Sequence, residues 1–322
     1  MAKSPSKRKT PRKKGQPKKI DWAKYNDELV QRGSIDVWIE KGMIEVWEEL
    51  PDSPKRKRGA QKRYSDVAII TILRFGAIFH QRLRQTEGFV RSLFRSMNLE
   101  LSVPDFSTLS RRGDVAVAIP RSPRESMVAI MDSTGLKVYG EGEWKVRQHG
   151  YSKRRTWRKF HVMIAADGEI RAVEFTDNSV ADSEAAPKLL AQEPAQIDDL
   201  AGDGGYDRKN VYAAGLARGV KAFRIPPQKN ARIIQHGNTK AEPHPRDTNL
   251  RAIRQTTRKR WKEQTGYHIR SLVETTMFRL KTIFGDRLHA RKFENQRTEA
   301  LIKASILNRM WQLGMAESYP HA

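Results

Sequence analysis

The patterning of the chain changes from helical to strand-like at Ser126. Residues 127–131 form a short apolar run, and two further apolar runs follow at 160–165 and 170–176. The turn between the last two runs is Ala-Asp-Gly, residues 166–168, which predicts a β-hairpin. This hairpin is the strongest constraint on the fold, because it requires a sheet in the second half of the chain.

Helical and strand-like segments alternate after the hairpin. Residues 182–192 and 210–218 predict helices, and residues 220–227 predict a strand closed by two prolines. Such alternation indicates an α/β layered domain, which we place at residues 121–322. A polar and basic stretch at about 228–262 is predicted to be a short insertion, a loop followed by a helix.

Residues 21–120 are predicted to form a helical domain. Ser65, Thr86 and Ser107 are each expected to cap a helix, the last one short and basic. Two helices, a turn and a short basic helix resemble a helix-turn-helix unit, which predicts that this region binds DNA. The residues predicted to face DNA are Ser107, Ser110, Arg111 and Arg112. A plain helical bundle with a basic surface is the alternative.

The charge of the chain favours a polyanionic partner. Lysine and arginine number 61 against 37 acidic residues, a net charge of +24. Residues 1–20 are predicted to be a disordered basic tail that lies along phosphates or only aids solubility. The chain has no cysteine, which excludes thiolate chemistry and is compatible with the cytoplasm. No apolar run approaches the ~20 residues of a membrane span, and no secretory signal follows the basic start.

Residues 265–286 predict one helix with two stripes. The apolar stripe consists of Ile269, Leu272, Val273, Leu280 and Ile283. The polar stripe consists of Tyr267, Arg270, Glu274 and Lys281, whose spacings of three, four and seven return to one side of a helix. Taken alone, this pattern is typical of a surface ion pair on an amphipathic helix.

Three carboxylates could form a metal site. Asp132 ends the first apolar run, Asp203 lies in a glycine-rich turn after another short strand, and Glu274 is on the helix. Oxygen ligands suit Mg²⁺ or Mn²⁺, and two such ions could activate a water or 3′-hydroxyl for phosphodiester chemistry. Asp132 and Asp203 could instead serve only their turns. His149 and His161 are interpreted as structural residues.

The spacing Tyr267, Arg270, Glu274 and Lys281 is similar to the Y-(2)-R-(3)-E-(6)-K signature of DDE transposases from bacterial insertion sequences. Further stretches resemble the insertion-sequence-five family of these transposases. They are residues 131–150, GDGGYD at 202–207, SLVETTMFR at 271–279, and 281–300. The resemblance extends over most of the chain, from about residue 21 to residue 314.

The resemblance implies an RNase H-like catalytic domain, a mixed sheet flanked by helices, behind a helical domain that binds terminal inverted repeats. It assigns Asp132, Asp203 and Glu274 as the catalytic triad that holds Mg²⁺ or Mn²⁺, two ions in all. It also implies a homodimer or larger synaptic complex on DNA, and thus a cytoplasmic, nucleoid-associated protein. Tyr267, Arg270 and Lys281 complete the signature and are expected to contact DNA phosphates near the cut. Arg158 and Lys159 are two further residues predicted to bind DNA.

Two other functions remain open from the sequence. A non-catalytic DNA-binding protein could use the same basic surface, and it would need no metal. An RNase H-like nuclease could cleave DNA without strand transfer. Cleavage assays with and without target DNA distinguish these functions from transposition.

Overall fold

The computed structural model describes residues 18–39, 42–48, 63–138, 157–235, 242–314 and 318–320. The α-helices of these ranges are α1 (Trp22–Gln31), α2 (Asp66–Ile78), α3 (Leu83–Ser96), α4 (Phe106–Arg111), α5 (Asp182–Ala191), α6 (Lys209–Ala217), α7 (Pro245–Gln255), α8 (Arg258–Gln264), α9 (Ser271–Phe284) and α10 (Phe293–Gln312). The β-strands are β1 (Lys18–Ile20), β2 (Ser126–Val138), β3 (Trp157–Ala165), β4 (Ile170–Asp177), β5 (Gln196–Ala201), β6 (Ala222–Arg224), β7 (Arg287–Leu288) and β8 (Ser318–Pro320). Residues 1–17 of the predicted tail, and His149, lie outside the described ranges.

A mixed sheet is the centre of the α/β part. Its strand order is β4-β3-β2-β5-β6, and β7 pairs with the far end of β2. β3 runs antiparallel to both β2 and β4, and the β3–β4 pair confirms the predicted hairpin. β5 and β7 run parallel to β2, and β6 runs parallel to β5. β1 and β8 form a separate antiparallel pair.

Helices cover both sides of this sheet because successive strand residues point to opposite faces. On one side, which we call the α9 face, Ile130 and Val162 pack with residues of α9 and α10. On the other side, the α5 face, Met131 and Met163 pack with residues of α5 and α6. The sheet with helices on both faces confirms the predicted α/β class.

The N-terminal helices share a core with the α9 face. Trp47, Phe75 and Phe94 belong to the same buried cluster as Ile130 and Ile306. The indole Nε1 of Trp47 donates a hydrogen bond to the carbonyl of Ser102 at 2.7 Å. The helices α2 and α3 therefore pack on the α/β part, and the domain boundary at residue 120 stays a prediction.

The predicted end of the first strand was wrong. β2 continues for six residues beyond Asp132, to Val138, because β3 pairs with it from Ala129 to Lys137. This pairing satisfies the backbone groups of a polar stretch, Ser133 to Gly135, that has the composition of a loop. Asp132 therefore lies within a strand, and its surroundings depend on the neighbouring strand β5.

Two predicted helix caps were also wrong. Thr86 is buried inside α3, which begins at Leu83 after Arg82. The cap of α4 is Asp105, whose carboxylate accepts from the backbone N–H of Thr108 at 2.6 Å. Ser107 lies inside α4 and donates to Asp105. Ser65 caps α2 as predicted.

The predicted insertion is more ordered than a loop and one helix. It contains α7 and α8, and α8 leads directly to Gly266. Gly266 has φ +63°, a left-handed conformation that glycine adopts without strain. The predicted helix at 265–286 is consequently a 3₁₀ turn, Tyr267–Arg270, followed by α9. No helix in the described part of the chain has both the length and the apolarity to cross a membrane.

Candidate active site

Asp132 and Asp203 are brought together by the register of two parallel strands. β5 ends at Ala201, which pairs with Ile130 of β2. Each aspartate follows this pair by two residues, so both side chains leave the same face of the sheet. Asp203 keeps an extended backbone and its carboxylate accepts from the N–H of Gly205 at 2.8 Å. The aspartates are therefore neighbours at the point where β5 stops and β2 continues.

Glu274 reaches the same place from α9. The apolar side of this helix, with Val273, Met277 and Leu280, is buried in the core of the α9 face. This packing fixes the helix against β2, while the Glu274 side chain remains 54% exposed. A rigid helix thus presents the third carboxylate beside the two aspartates.

Arg270 connects two of the three carboxylates. Its Nη1 donates to Oδ2 of Asp132 at 2.9 Å, and its Nη2 donates to Oε1 of Glu274. Both ion pairs are open to solvent, since the Arg270 and Asp132 side chains are 23% and 18% exposed. The arginine therefore occupies the position between carboxylates where a cation reduces their repulsion.

The protonation of Asp132 depends on its burial and on the charges around it. Burial raises the pKa of Asp132, and the charges of Asp203 and Glu274 raise it further. The hydrogen bond from the Ser133 N–H and the charge of Arg270 act in the opposite direction. The ionised form of a partly buried carboxylate near two others is stabilised by a nearby cation.

Two tyrosines border the carboxylates. The Tyr267 ring lies 5.8 Å from the ring of Trp261 in α8, and burial raises the pKa of its hydroxyl. The hydroxyl of Tyr206 is buried and has no hydrogen-bond partner among the described residues. Burial and the charges of Asp182 and Asp132 raise the pKa of Tyr206 well above its usual range. Both hydroxyls are therefore neutral at physiological pH.

The donor set fits a hard divalent ion, although the side chains are not arranged around one. Three carboxylates without cysteine or histidine supply the oxygen ligands that Mg²⁺ and Mn²⁺ prefer. In the described ranges no three acidic or histidine side chains stand in metal-ligand geometry. The guanidinium of Arg270 takes the central position instead. Metal binding at Asp132 and Glu274 thus requires Arg270 to move.

Two family models match the chain. Residues 123–309, more than half of the chain, match a family model described as a transposase DDE domain. A second model with the same description matches residues 30–141. The larger match includes Asp132, Asp203 and Glu274. The chain belongs to the DDE transposase family. Its mixed sheet flanked by helices fits an RNase H-like catalytic domain.

The residues predicted to contact DNA in the transposase differ in whether they are already paired with other groups of the protein. Tyr267 and Arg270 lie in the candidate site, and Lys281 is seven residues after Glu274 on the same side of α9. Arg158 pairs with Asp177 and donates to Gln296 Oε1 at 2.9 Å. Lys159 donates to the carbonyl of Val180 at 2.8 Å and pairs with Asp182. The last two cations are therefore neutralised within the protein.

The predicted DNA-facing residues of α4 also differ from one another. The guanidinium of Arg112 donates to the carbonyl of Tyr64 and pairs with Asp66. Arg111 is exposed and contacts only the hydroxyl of Thr108, at 3.3 Å, among the hydrogen bonds described. The Ser110 carbonyl accepts from Asn295 Nδ2 at 2.9 Å and so ties α4 to α10. Arg111 is better placed than Arg112 for an external phosphate.

Sequence reasoning missed a polar network on the α5 face, directly behind Asp132. Asp182, in the first turn of α5, accepts from Ser133 Oγ at 2.8 Å and pairs with Lys159 at 3.2 Å. His161 is fully buried beside Asp182, and its Nε2 is 2.8 Å from Thr176 Oγ1. His161 is thus packed inside the protein, and its structural role stays a prediction. An acidic residue in the first turn of a helix was the available signal for Asp182, but its partners come from other strands.

Proposed function

We propose that this transposase binds the terminal inverted repeats of an insertion sequence, cleaves DNA at the element ends and joins the 3′-hydroxyls to target DNA. The observation that carries the proposal is the bridge from Arg270 to Asp132 and Glu274, with the charge of Asp203 beside Asp132. The sequence stretches described above favour membership of the insertion-sequence-five family. Two ends must be joined in one event, so a homodimer or larger synaptic complex is part of the proposal, as is a cytoplasmic, nucleoid-associated location.

Asp132, Asp203 and Glu274 are proposed to hold two Mg²⁺ or Mn²⁺ ions. Such ions supply Lewis-acid activation of the attacking oxygen and stabilise the leaving oxygen of the phosphodiester. Asp132 lies within β2 and Asp203 lies two residues beyond the end of β5, on the same side of the sheet, and both are proposed to lie beside the scissile phosphate. Glu274 closes the site from α9, and its exposure leaves it free to turn toward a ligand.

Arg270 has two roles in this proposal. Without substrate it neutralises Asp132 and Glu274. If the carboxylates held a divalent ion, the guanidinium of Arg270 would be available to donate to the phosphate oxygens next to the cut. Lys281 holds the next phosphate along the same face of α9. The half-buried hydroxyl of Tyr267 stays protonated and can donate a hydrogen bond to DNA.

The substitution Glu274→Gln tests the proposal. It removes one metal ligand and keeps the shape of the side chain. We expect cleavage of plasmid carrying the element ends with Mg²⁺ to fall by about 10³-fold or more, because a metal site contributes several kcal/mol to the transition state. Binding to the ends, measured by gel shift, should remain.

Glu263→Gln, at an exposed glutamate of the neighbouring helix α8, is the matched control and should cleave like the wild type. Retained cleavage by Glu274→Gln would refute the assignment of the site. If the three carboxylates tolerate alanine without functional loss, the protein is a non-catalytic DNA-binding protein. Cleavage that never yields products joined to a target plasmid would identify a nuclease without strand transfer.

A further inference from the structure

An exposed aromatic side chain lies next to the candidate site on α9. Phe278 is 69% exposed, whereas Val273, Met277 and Leu280 on the other side of the helix are at most 8% exposed. Phe278 follows Glu274 by four residues and precedes Lys281 by three, so all three share one side of the helix. The helix therefore presents a large aromatic ring to solvent between a proposed metal ligand and a cation.

The surroundings of Phe278 do not resemble a protein–protein interface. It is the large hydrophobic residue that α9 exposes, and its helical neighbours Thr275 and Thr282 are polar. A stable protein interface has a contiguous apolar centre of several side chains. An isolated aromatic ring next to a cation, on a protein of net charge +24, instead has the composition of a site for one nucleotide.

The spacing of Phe278 and Lys281 suits this partner. Side chains three residues apart on a helix are neighbours, with Cβ atoms ~5–6 Å apart. The ammonium group of Lys281 can meet a phosphate while the ring of Phe278 meets the base of the adjoining nucleotide. Every base has a π-face, so such stacking requires no particular sequence.

The base must be unstacked to reach the ring. Inside a duplex both faces of a base are covered by its neighbours, and a protein ring contacts a face only after the base leaves the stack. We propose that Phe278 stacks on an unpaired base of the nucleotide beside the cleaved phosphodiester and thereby positions the DNA strand at Glu274. This inference rests on the proposed function, because it places DNA at the three carboxylates.

Equilibrium binding without Mg²⁺ tests the inference separately from cleavage. The probes are a synthetic duplex with two unpaired 3′ nucleotides, one of them 2-aminopurine, and the same duplex fully paired. All variants carry Glu274→Gln, so no cleavage is needed. With the Phe278 ring present, the unpaired probe should bind more tightly and its 2-aminopurine fluorescence should be quenched.

Phe278→Ala should weaken binding of the unpaired probe by about 5- to 100-fold, the range for loss of one base–aromatic stack, and should abolish the quenching. Binding of the paired probe should change by less than about twofold. Phe278→Trp should restore both signals, because the larger ring also stacks. Leu216→Ala, at an exposed apolar residue of α6, is the matched control and should behave like the parent.

Three results would overturn the inference. The first is equal binding of the unpaired probe by Phe278→Ala and its parent. The second is a parent protein that binds both probes equally. The third is a smaller assembly for Phe278→Ala in light scattering, which would make the ring a contact between copies of this chain. Failure of the cleavage test above affects none of these readouts, so the two proposals can fail separately.

Discussion

Arg171 and Arg270 each lie between two carboxylates, and the two clusters differ in how completely their charges are paired inside the protein. Arg171 donates to both oxygens of Glu193, at 2.7 and 2.8 Å, and to Glu169 at 2.8 Å. It also donates to the carbonyl of Ser122. The side chains of this cluster are at most 3% exposed. Each charged group of this cluster has hydrogen-bond partners within the protein. Replacement of the arginine by another cation would leave several of these buried groups without a hydrogen bond.

The cluster around Arg270 is open by comparison. Arg270 makes one contact with Asp132 and one with Glu274, and Glu274 is more than half exposed. Asp203 adds a third negative charge nearby. Pairing between arginine and carboxylates alone therefore does not define a functional site. A metal ion or a phosphate can replace an internal partner only where the charged groups keep unused hydrogen-bonding capacity and are accessible to solvent.

The largest effect on stability is expected at the cluster around Arg171, which we call the closed cluster because its side chains are buried. Arg171→Met should lower the free energy of unfolding by about 3–5 kcal/mol, because it leaves Glu193 buried without a cation and removes one of the two arginines that pair with Glu169. Arg270→Met, the matched substitution at the open cluster, should lower it by about 1 kcal/mol or less. Urea denaturation without metal measures both. Equal losses would mean that the two clusters have the same structural role.

Burial of the His161 imidazole predicts that the free energy of unfolding depends on pH, with a change slightly smaller than that expected for Arg171→Met. Burial lowers the pKa of His161 to about 4 from 6.5, so the unfolded chain binds a proton more readily than the folded one between these values. Stability is therefore present above pH 6.5 and lost as the pH falls toward 4, by on the order of 3 kcal/mol. His161→Gln should flatten this part of the stability profile.

The exposed His268 provides the control for this measurement. His268→Gln should leave the slope of stability against pH as it is in the wild type. If His161→Gln keeps the same slope between pH 6.5 and 4, the loss at acid pH comes from other groups, such as the carboxylates of the closed cluster. The measurement thus separates burial of a neutral group from the pairing of charges.

The smallest effects on stability and DNA binding are expected at two adjacent arginines of the N-terminal region, one exposed and one paired within the protein. Arg111 is exposed, whereas Arg112 is bound to Tyr64 and Asp66. Arg111→Ala should reduce the dependence of log K on log salt by about one unit, because it loses one phosphate contact. Arg112→Ala should mainly lower stability, by about 1–2 kcal/mol. The opposite outcome would place Arg112 at the DNA.

Local sequence signals predicted several elements well. The hairpin followed from the turn at 166–168, and the Ser65 cap from the side chain of the residue before α2. The α/β class followed from the order of the elements. The cap of α4 was misplaced by two residues because Asp105 and Ser107 are both good capping residues, and only the structure shows which one accepts from Thr108.

The arrangement of the site depended on long-range contacts that sequence patterns do not contain. The extension of β2 beyond Asp132 requires β3, which begins only at Trp157. The bridge from Arg270 to Asp132 joins residues 138 positions apart. The triad was assigned through a family resemblance, and the matched DDE models support the family. Membership of the insertion-sequence-five family and the individual DNA contacts stay predictions.

A structure determined with Mn²⁺ bound tests the central claim most directly. Anomalous scattering locates the manganese independently of any assumption about its ligands. The account predicts manganese bound by Asp132, Asp203 and Glu274, with Arg270 displaced from both of its present partners. Arg270 still bridging Asp132 and Glu274 at saturating Mn²⁺, with no manganese between the carboxylates, would contradict it.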